Sequence, residues 1–365
     1  MYIAIDGNEA NISQRVGSNT YAFQLLSHLS RLDKATNYQI YTKQPPLADL
    51  PLVAPHWHYR TFGPGKLWTQ WRLPLDLFTQ KPRPALFFTP GHYAPRFSPV
   101  PTVVSIMDLA YLYFPDTFKP AVLSQLKSWT AHSITHARHI FTISESTKKD
   151  ITKEYPVNPD RITVTYPGSN LTSAPATSPQ HTLDKYHLPA DYLIFVGTRQ
   201  PRKNLHRLIT ALHQVNQGRQ HPITLVVVGK VWHQFTASAA SSNPHVIYTG
   251  YVPDADLPTL VYSARALVMP SLYEGFGIPV LEAMNLGTPV LCSGTSSLPE
   301  ITGKTPWLFN PTDIQDITSK IATFLQLTPA ARQTLGKQGK IRAKLFTWDK
   351  CTQKTLEVLH ELALS

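Results

Sequence analysis

Two glutamates in the second half of the chain, Glu274 and Glu282, flank a turn that contains two glycines. The apolar residues 266–270 before the turn predict a buried strand, and a short helical pattern starts near Ile278. A strand, a glycine turn and a helix N-terminus predict an anion site, because backbone N–H groups and the positive end of the helix dipole point at a ligand over the turn. A phosphate alone does not require two carboxylates, whereas a ligand with both a phosphate and a polyol would use them.

The two carboxylates also have a plainer interpretation. Each could be a solvated surface acid, which is the usual place of glutamate, and a Gly-x-Gly turn is weak evidence because many tight turns need glycine. Three basic residues about 70 positions upstream, Arg199, Arg202 and Lys203, favour the ligand site. Cations that follow a strand end can neutralise a diphosphate as its charge develops.

The segment 271–290 resembles the E-x7-E signature of the family 4 retaining glycosyltransferases. Residues 196–205 are similar to the family's phosphate clamp, 250–253 to its base-binding turn and 297–303 to its next strand–helix junction. The likeness is strong from about residue 190 to about residue 350 and weaker in the first half. The fold that this resemblance implies is GT-B, in which two Rossmann-like domains face each other across a cleft and a C-terminal helix crosses back to the first domain.

The resemblance implies a role for each matching residue. Glu274 would bind hydroxyl groups of the donor sugar, and Glu282 would bind the nucleotide ribose. Lys203 would stabilise the departing diphosphate together with Arg199 or Arg202, because the family's usual clamp arginine is absent from its own position. The other donor contacts would come from the base-binding turn and from the glycine turn with its backbone, at Val252, Gly275, Phe276, Gly277 and Ile278.

The first half of the chain offers three further candidates. Gly17 precedes a helical pattern and resembles the family's N-terminal glycine loop, where it would bring backbone N–H groups towards the donor diphosphate. The strand that ends at Met107 and Asp108 resembles the family's His-Asp-Leu strand end, with methionine in place of the histidine. His92 is a candidate to replace that imidazole, and Asp108 is a candidate polar group on the acceptor side. Asp108 could equally cap the segment that follows it, and Gly17 could be a plain loop glycine.

Length and composition indicate a globular protein of two domains. The chain has 365 residues, which is more than one ordinary core accommodates. Its hydrophobic content is 42%, and no apolar run approaches the roughly 20 residues of a membrane span. The 2 cysteines predict no disulfide framework, and the N-terminus lacks the basic region of a signal peptide, so we expect a cytoplasmic protein.

The formal net charge of +11 is spread over both halves of the chain. Without a basic tail or an arginine-rich helix, nucleic acid is a poor candidate partner. The charge fits an anionic nucleotide donor, peripheral contact with anionic lipid at the inner membrane face, or a merely solubilising surface. The 15 histidines form no recognisable ligand motif with cysteines or acids, so we expect neither a metal nor another cofactor.

Alternating strand-like and helical patterns predict an α/β fold with parallel sheets. Residues 1–168 would form an acceptor-binding domain and residues 185–345 a donor-binding domain. A linker rich in Ser, Thr and Pro, residues 169–184, would join them, and residues 346–365 would be the returning helix. The predicted strands are 2–6, 85–89, 102–106, 139–143, 161–165, 192–196, 224–228, 246–249, 266–269 and 289–292. Ligands would bind at the carboxyl ends of both sheets.

Together with the family resemblance, these patterns predict a metal-independent glycosyltransferase, and the resemblance implies that it retains the configuration at the anomeric carbon. It would move a hexose, by default mannose, from a GDP- or UDP-sugar to a hydroxyl group of a glycan or a lipid-linked saccharide. Two alternatives remain open. A nucleotide-sugar epimerase of the same fold would need acids and bases around C2 of the sugar, which the sequence does not place. A non-catalytic sugar-nucleotide-binding protein is favoured by the missing histidine and opposed by intact Glu274, Glu282 and Lys203.

Overall fold

The computed structural model describes residues 2–63, 65, 67–171, 178–231 and 243–364. The chain divides into two compact units. Unit 1 consists of Met1–Gly168 and Thr347–Ser365, and unit 2 consists of Ser169–Phe346. In the part of the chain that the structure describes, no helix is long and apolar enough to cross a membrane.

Unit 1 is built on a 7-stranded parallel sheet. Its strands are β1 (Tyr2–Asp6), β2 (Asn37–Thr42), β3 (Trp57–Thr61), β4 (Leu86–Thr89), β5 (Thr102–Ile106), β6 (His139–Thr142) and β7 (Ile162–Val164). Their order across the sheet is β3-β2-β1-β4-β5-β6-β7. The chain reverses its direction of travel across the sheet between β1 and β4. The loops after these two strands therefore leave the sheet at a topological switch point, where α/β proteins usually bind ligands.

The helices that connect these strands are α1 (Ser18–Leu32), α2 (Leu73–Thr79), α3 (Ala110–Tyr113), α4 (Pro120–His136) and α5 (Glu145–Glu154). A π-helical turn, Trp68–Arg72, leads directly into α2. Every residue of β4, β5 and β6 is buried, as expected for central parallel strands with helices on both faces. The strands predicted for this half are confirmed, whereas the sequence patterns did not predict β2 or α2.

Unit 2 repeats the architecture with a 6-stranded parallel sheet. Its strands are β8 (Tyr192–Val196), β9 (Thr224–Val228), β10 (Val246–Gly250), β11 (Ala266–Met269), β12 (Val290–Ser293) and β13 (Leu308–Phe309). Its helices are α6 (Pro179–Lys185), α7 (Leu205–Asn216), α8 (Leu257–Ser263), α9 (Ile278–Leu286), α10 (Leu298–Thr302), α11 (Ile314–Leu325) and α12 (Pro329–Ala343). The strand order β10-β9-β8-β11-β12-β13 places the switch point between β8 and β11.

The last helix, α13 (Trp348–Leu364), belongs to unit 1 and packs on α1. The rings of Tyr21 and Trp348 lie 5.9 Å apart. His28 Nδ1 lies 2.7 Å from Asp349 Oδ1, and at the other end of α13 the ring of His360 lies 2.9 Å from Asp33 Oδ2. These contacts confirm the expected helix that returns to the N-terminal domain.

The predicted linker contains a short helix. Helix α6 begins at Pro179, and proline is favoured at the first position of a helix because its fixed φ suits the first turn. Residues 172–177 of the predicted linker lie outside the described residues. The loop between β9 and β10 is described up to residue 231 and again from residue 243.

Two glycines in α12 provide a matched test of packing in unit 2. A Cβ on Gly336 would overlap the carbonyl oxygen of Gly287, whereas the nearest atom to a Cβ on Gly339 is Met284 Cα at 3.6 Å. We expect Gly339→Ala to be neutral or to stabilise unit 2 by up to about 1 kcal/mol, since alanine favours helix. Gly336→Ala should destabilise it by about 1–3 kcal/mol through overpacking. Thermal unfolding of both variants measures the difference, and equal midpoints would contradict the close α9–α12 contact.

Candidate active site

In unit 2, the loops that carry the predicted chemistry follow two neighbouring strands. The 3-10 turn Pro201–Lys203 lies between β8 and α7, and the glycine turn lies between β11 and α9. Because β8 and β11 are parallel and paired, their carboxyl ends lie at the same edge of the sheet. The N–H group of Leu272 donates a hydrogen bond to the carbonyl oxygen of Arg202 at 2.8 Å. The two loops are therefore tied together at the topological switch point.

The carboxylate of Glu274 lies between two cations. Lys203 Nζ donates to Oε1 at 2.6 Å, and Arg202 Nη1 donates to Oε2 at 3.3 Å. Ser271 Oγ also donates to Oε1 at 2.6 Å. The Lys203 and Glu274 side chains are only 9% and 7% exposed, so this ion pair is shielded from water. Charge interactions are much stronger in such a place than at the surface.

The protonation state of Glu274 follows from this environment. Burial by itself raises the pKa of the carboxyl, because a dry environment disfavours charge. The positive charges of Lys203 and Arg202, with the hydrogen bonds from Lys203 and Ser271, outweigh that effect and lower the pKa to about 2. Glu274 is therefore a carboxylate near neutral pH. It accepts hydrogen bonds and has no proton to donate.

Two serines in the turn after β12 hold the backbone around Glu274. The N–H group of Glu274 donates to Ser296 Oγ at 2.9 Å, and that hydroxyl donates to the Glu274 carbonyl. Ser297 Oγ lies 2.9 Å from the same carbonyl oxygen and 2.6 Å from that of Phe276. Ser296 has a φ of 57°, which is uncommon for a residue other than glycine. The sequence identified Ser297 only as the start of a strand–helix junction, and no pattern pointed to Ser296.

Close packing requires glycine at the end of the turn. Gly277 has a φ of 116°, which L-residues rarely adopt, and a Cβ there would lie 2.6 Å from Leu298 Cδ2. Helix α9 therefore begins at Ile278, directly after Gly277 and close in sequence to Glu274. Its N-terminus adds a positive dipole end to the edge of the sheet where Lys203 lies.

Glu282 lies on α9 in an environment unlike that of Glu274. Its side chain is partly buried and, among the described residues, it has no hydrogen-bond or ion-pair partner. Burial raises the pKa of its carboxyl to about 8, and the negative charge of Asp254 adds to the effect. Near neutral pH, one acid of the pair is ionised and the other is largely protonated. Such a pair can both accept hydrogen bonds from the hydroxyl groups of a polyol and donate hydrogen bonds to their oxygens.

The two candidate arginines occupy different places. Arg202 contacts Glu274 and also donates to the carbonyl oxygen of Tyr273 at 3.0 Å. The guanidinium of Arg199 lies over the ring of Tyr248 in β10, 4.8 Å from its centroid. Val252, in the predicted base-binding turn after β10, is buried. Among the described residues, Arg202 rather than Arg199 is the arginine in contact with Glu274.

In unit 1, His92 and Asp108 follow the neighbouring parallel strands β4 and β5. Asp108 Oδ1 accepts a hydrogen bond from the N–H group of Ala110 at 2.9 Å, so this carboxylate caps α3. Nδ1 of His92 is buried and has no hydrogen-bond partner among the described residues. Burial lowers the pKa of His92, and the nearby charge of Asp108 opposes that shift only in part. The imidazole is therefore neutral near pH 7.

Gly17 and Glu9 lie in the loop region between β1 and α1. Gly17 precedes α1 with a φ of 55°, and a Cβ there would meet no atom within 4 Å, so the backbone conformation alone favours glycine. Glu9 accepts hydrogen bonds from Asn19 Nδ2 at 2.5 Å and from Ser18 Oγ at 3.3 Å. Burial raises the pKa of Glu9, and the charge of Asp6 adds to the shift. The sequence analysis did not identify Glu9. The feature that could have pointed to it is an acidic residue shortly after the first strand.

A metal centre would need several His, Cys, Asp or Glu side chains close together. Within the described ranges, no group of three or more such side chains is arranged to hold a metal ion. Both cysteines, Cys292 and Cys351, are buried free thiols. The positive groups in contact with Glu274 are protein cations, Lys203 and Arg202.

Comparison with known proteins decides the family. Residues 16–173 match the model described as Glycosyltransferase Family 4, and residues 186–342 match the model described as Glycosyl transferases group 1. The O-antigen chain mannosyltransferase B of Escherichia coli is 30% identical over 262 residues, which cover 70% of this chain and 68% of that protein. The chain belongs to family 4 of the glycosyltransferases. The family inferred from the E-x7-E segment is thus confirmed.

Two further comparisons concern length and fold. The serotype-specific mannosyltransferase WbdA of Escherichia coli is 33% identical to this glycosyltransferase over 195 residues, which cover 49% of this chain and only 23% of that protein. HepE of Anabaena, solved in complex with UDP, has a TM-score of 0.73 at 17% identity and covers 99% of this chain and 100% of that one. The structural likeness confirms the predicted GT-B fold.

The raised pKa of Glu282 predicts how the stability of this glycosyltransferase depends on pH. The unfolded chain loses this proton near the ordinary pKa of 4.5, and the folded chain holds it to about 8. The unfolded state therefore binds fewer protons between these values, and stability falls as the pH rises through them. Glu282→Gln should remove this fall. By pH 8 the free energy of unfolding of the variant should exceed that of the wild type by on the order of 2 kcal/mol. This difference is smaller than the whole pKa shift would imply, because solvent reaches the partly exposed carboxyl.

Urea unfolding at a series of pH values measures the gap between the variant and the wild type. Glu357→Gln, which removes one exposed carboxylate from α13, is the control for the change in net charge. A gap for Glu282→Gln that is the same at pH 4.5 and at pH 8 would contradict the raised pKa.

The Lys203–Glu274 pair predicts strong coupling in a double-mutant cycle. Glu274→Gln should destabilise this glycosyltransferase by about 3–5 kcal/mol, because it leaves a buried ammonium without its counter-charge. Combining it with Lys203→Met should cost less than the sum of the two single changes, by about 1–3 kcal/mol. The same cycle on Lys185 and Asp256, where the lysine side chain is 51% exposed, should give a much smaller coupling, because solvent screens the two charges. Additive effects at Lys203 and Glu274 would show that the two charges do not interact.

Proposed function

We propose that this glycosyltransferase moves a hexose, by default mannose, from a nucleotide-diphosphate sugar to a hydroxyl group, with retention at the anomeric carbon. The names of two relatives, O-antigen chain mannosyltransferase B and mannosyltransferase WbdA, support mannose as the sugar. The O-antigen chain in the first name supports a glycan as the acceptor, and a lipid-linked saccharide is the alternative that we propose. HepE was solved in complex with UDP, and that complex supports a nucleoside diphosphate as the leaving group.

The observation that carries the proposal is the buried cluster of Lys203, Arg202 and Glu274 at the switch point of the unit 2 sheet. The cluster contains two cations and one carboxylate, so its net charge is positive. Glu274 holds Lys203 through a hydrogen bond of 2.6 Å, so Lys203 should need little reorganisation to meet a diphosphate. Preorganised cations in a place shielded from water stabilise the negative charge that develops as the sugar–phosphate bond breaks.

Glu274 has a second proposed duty beside holding the cations. Its Oε1 atom accepts from Lys203 and Ser271, and Oε2 accepts from Arg202 at the longer distance of 3.3 Å. A carboxylate has about four lone-pair positions, so it retains capacity for a hydroxyl group of the donor sugar. Its negative charge also favours the positive charge that develops at the anomeric carbon.

Glu282 is the proposed partner of the nucleotide ribose. A ribose diol pairs best with an ionised carboxylate, whereas burial and the charge of Asp254 keep this carboxyl largely protonated near neutral pH. Donor binding should therefore be accompanied by proton release from Glu282 below about pH 8, and this release should fade as the pH rises above that value. Val252 and the backbone near Gly275, Phe276 and Ile278 are the proposed remaining contacts to the donor.

The acceptor is assigned to unit 1, where Asp108 is the proposed polar group on the acceptor side. His92 is the proposed imidazole contact to the donor sugar, and the backbone at Gly17 is the proposed contact to the donor diphosphate. Asp108 already accepts a hydrogen bond from the N–H group of Ala110, and burial lowers the pKa of His92, which makes this imidazole a weaker base. In the proposed reaction the acceptor hydroxyl attacks on the face of the leaving group and its proton passes to a phosphate oxygen. This route needs no general base from the protein.

A donor panel tests the proposal. The protein is incubated with GDP-mannose and with UDP-, ADP- and TDP-sugars in excess EDTA, and release of the nucleoside diphosphate is followed with and without an acceptor saccharide. Slow hydrolysis or transfer from one donor is expected, and NMR of the transferred product should show the anomeric configuration of the donor. Activity that EDTA abolishes and Mg²⁺ restores would contradict the cationic clamp, and no release from any donor would favour a non-catalytic binding protein.

Three variants assign the roles with the preferred donor. Lys203→Gln should lower kcat by about 10²-fold, the scale of losing one preorganised electrostatic contact. Glu282→Gln should mainly raise the donor KM, by about tenfold, because a ribose contact exists in both the ground state and the transition state. The exposed Lys337→Gln is the control for loss of one positive charge. A large loss of kcat in Glu282→Gln with a normal Lys203→Gln enzyme would reverse the assignment.

A further inference from the structure

The segment that runs from the π-helical turn through α2 in unit 1 exposes a row of large apolar side chains. Leu67, Trp71, Leu75 and Phe78 are 50%, 70%, 57% and 48% exposed. These four residues, here called the apolar ridge, are spaced by four, four and three positions and so share one side of the helical segment. The opposite side of the segment packs into the core of unit 1. The segment therefore has two apolar sides: one side is buried in unit 1, and the apolar ridge on the other side is exposed to solvent.

Positive charge borders the apolar ridge. Arg72, Lys81 and Arg83 are exposed, and the guanidinium of Arg83 lies 6.0 Å from the ring centroid of Phe78. Asp76 is the one acidic residue between positions 67 and 83, and Arg60 pairs with it through two hydrogen bonds of 2.7 Å and 2.6 Å. The surface is thus apolar along its centre and positive at its border.

We propose that the apolar ridge docks this protein on a membrane surface that contains anionic lipid. A helix with a row of Trp, Leu and Phe on one side lies in the plane of the bilayer interface, with the apolar side chains among the acyl-chain ends. Tryptophan prefers this interface because its ring is apolar and its N–H group is polar. The arginine and lysine side chains would extend along the apolar surface to the lipid phosphates, and Arg83 already lies against the ring of Phe78.

Charge complementarity selects lipid over a second copy of the chain. Two copies joined ridge to ridge would use the same patch twice, so Arg72, Lys81 and Arg83 of one copy would face the same cations of the other. The acid nearest to them in the sequence, Asp76, is occupied by Arg60. Such a dimer gains apolar burial but collects uncompensated positive charge, whereas an anionic lipid surface supplies both an apolar layer and negative charge.

Vesicle sedimentation with the full chain tests the proposal. The protein should sediment with vesicles that contain about one third phosphatidylglycerol in phosphatidylcholine, bind weakly to phosphatidylcholine alone, and lose binding as salt is raised. Trp71→Ser should weaken partitioning by about tenfold, since it removes the largest inserted side chain. Arg72→Gln and Arg83→Gln should each weaken it by about fivefold on anionic vesicles only.

Matched controls lie in unit 2, on α12. Ile341→Ser removes an apolar side chain that is 68% exposed, and Lys337→Gln removes an exposed cation. Neither should change vesicle binding by more than about twofold, because neither belongs to the ridge. All four ridge residues are exposed, so unchanged thermal unfolding is expected of the variants and is checked for each.

Two results would overturn the proposal. The first is no sedimentation of the wild type with vesicles of either composition. The second is a change of mass by light scattering, from dimer to monomer, in Trp71→Ser without a change in vesicle binding, which would assign the ridge to a protein–protein contact. Transfer activity is not part of this readout, so failure here leaves the proposed function standing.

Discussion

The arrangement of unit 2 around its switch point depends on one constraint, which is that a buried carboxylate needs compensating positive charge. Glu274 satisfies it with Lys203 and Arg202, which come from a loop about 70 residues earlier in the chain. These ion pairs therefore also connect two loops. It fixes the loop after β8 to the loop after β11, and the serines after β12 fix the backbone of the second loop from the other side. Three strand ends are thus joined through a single residue.

The same constraint explains why the two glutamates of the signature differ. They are eight residues apart in sequence, yet one is surrounded by cations and the other lies on a mostly buried helix beside another acid. Spacing alone suggests two equivalent acids. The structure separates them into a carboxylate that is ionised near neutral pH and a carboxyl that burial keeps largely protonated there. This division suits a ligand that carries a phosphate at one end and hydroxyl groups at several positions.

Much of the fold could be predicted from the sequence because apolar runs of central parallel strands alternate with helical patterns. Strand β2 was missed since its tyrosines and threonine mix polar and apolar character, and α2 was missed because a π-helical turn disrupts its period. In the site, motif spacing identified Glu274 and Lys203 but could not choose between Arg199 and Arg202. That choice depends on side-chain direction, which a pattern of residue types does not contain.

The residues that sequence reasoning missed share a physical cause. Each is recognised only through its hydrogen-bond partner: Ser271 donates to the Glu274 carboxylate, Ser296 accepts from the Glu274 backbone N–H group, and Glu9 accepts from the Asn19 side chain. Serine and glutamate are common in any loop, so their type carries little information until the partner is known. Glycine was easier to interpret, since Gly277 combines a left-handed conformation with a close neighbour and no other residue type meets both requirements.

Helix α13 has a consequence for the order of biosynthesis. It belongs to unit 1, yet it follows all of unit 2 in the chain, and its contacts with α1 join residues 321 positions apart. Unit 2 is one continuous segment and can fold as soon as it leaves the ribosome. Unit 1 begins the chain but lacks a packed element until α13 has been made, so its α1 surface stays open during translation of unit 2. Synthesis of unit 1 therefore starts before that of unit 2 and is completed after it, and a nascent chain arrested before Trp348 would expose the apolar side of α1 around Tyr21.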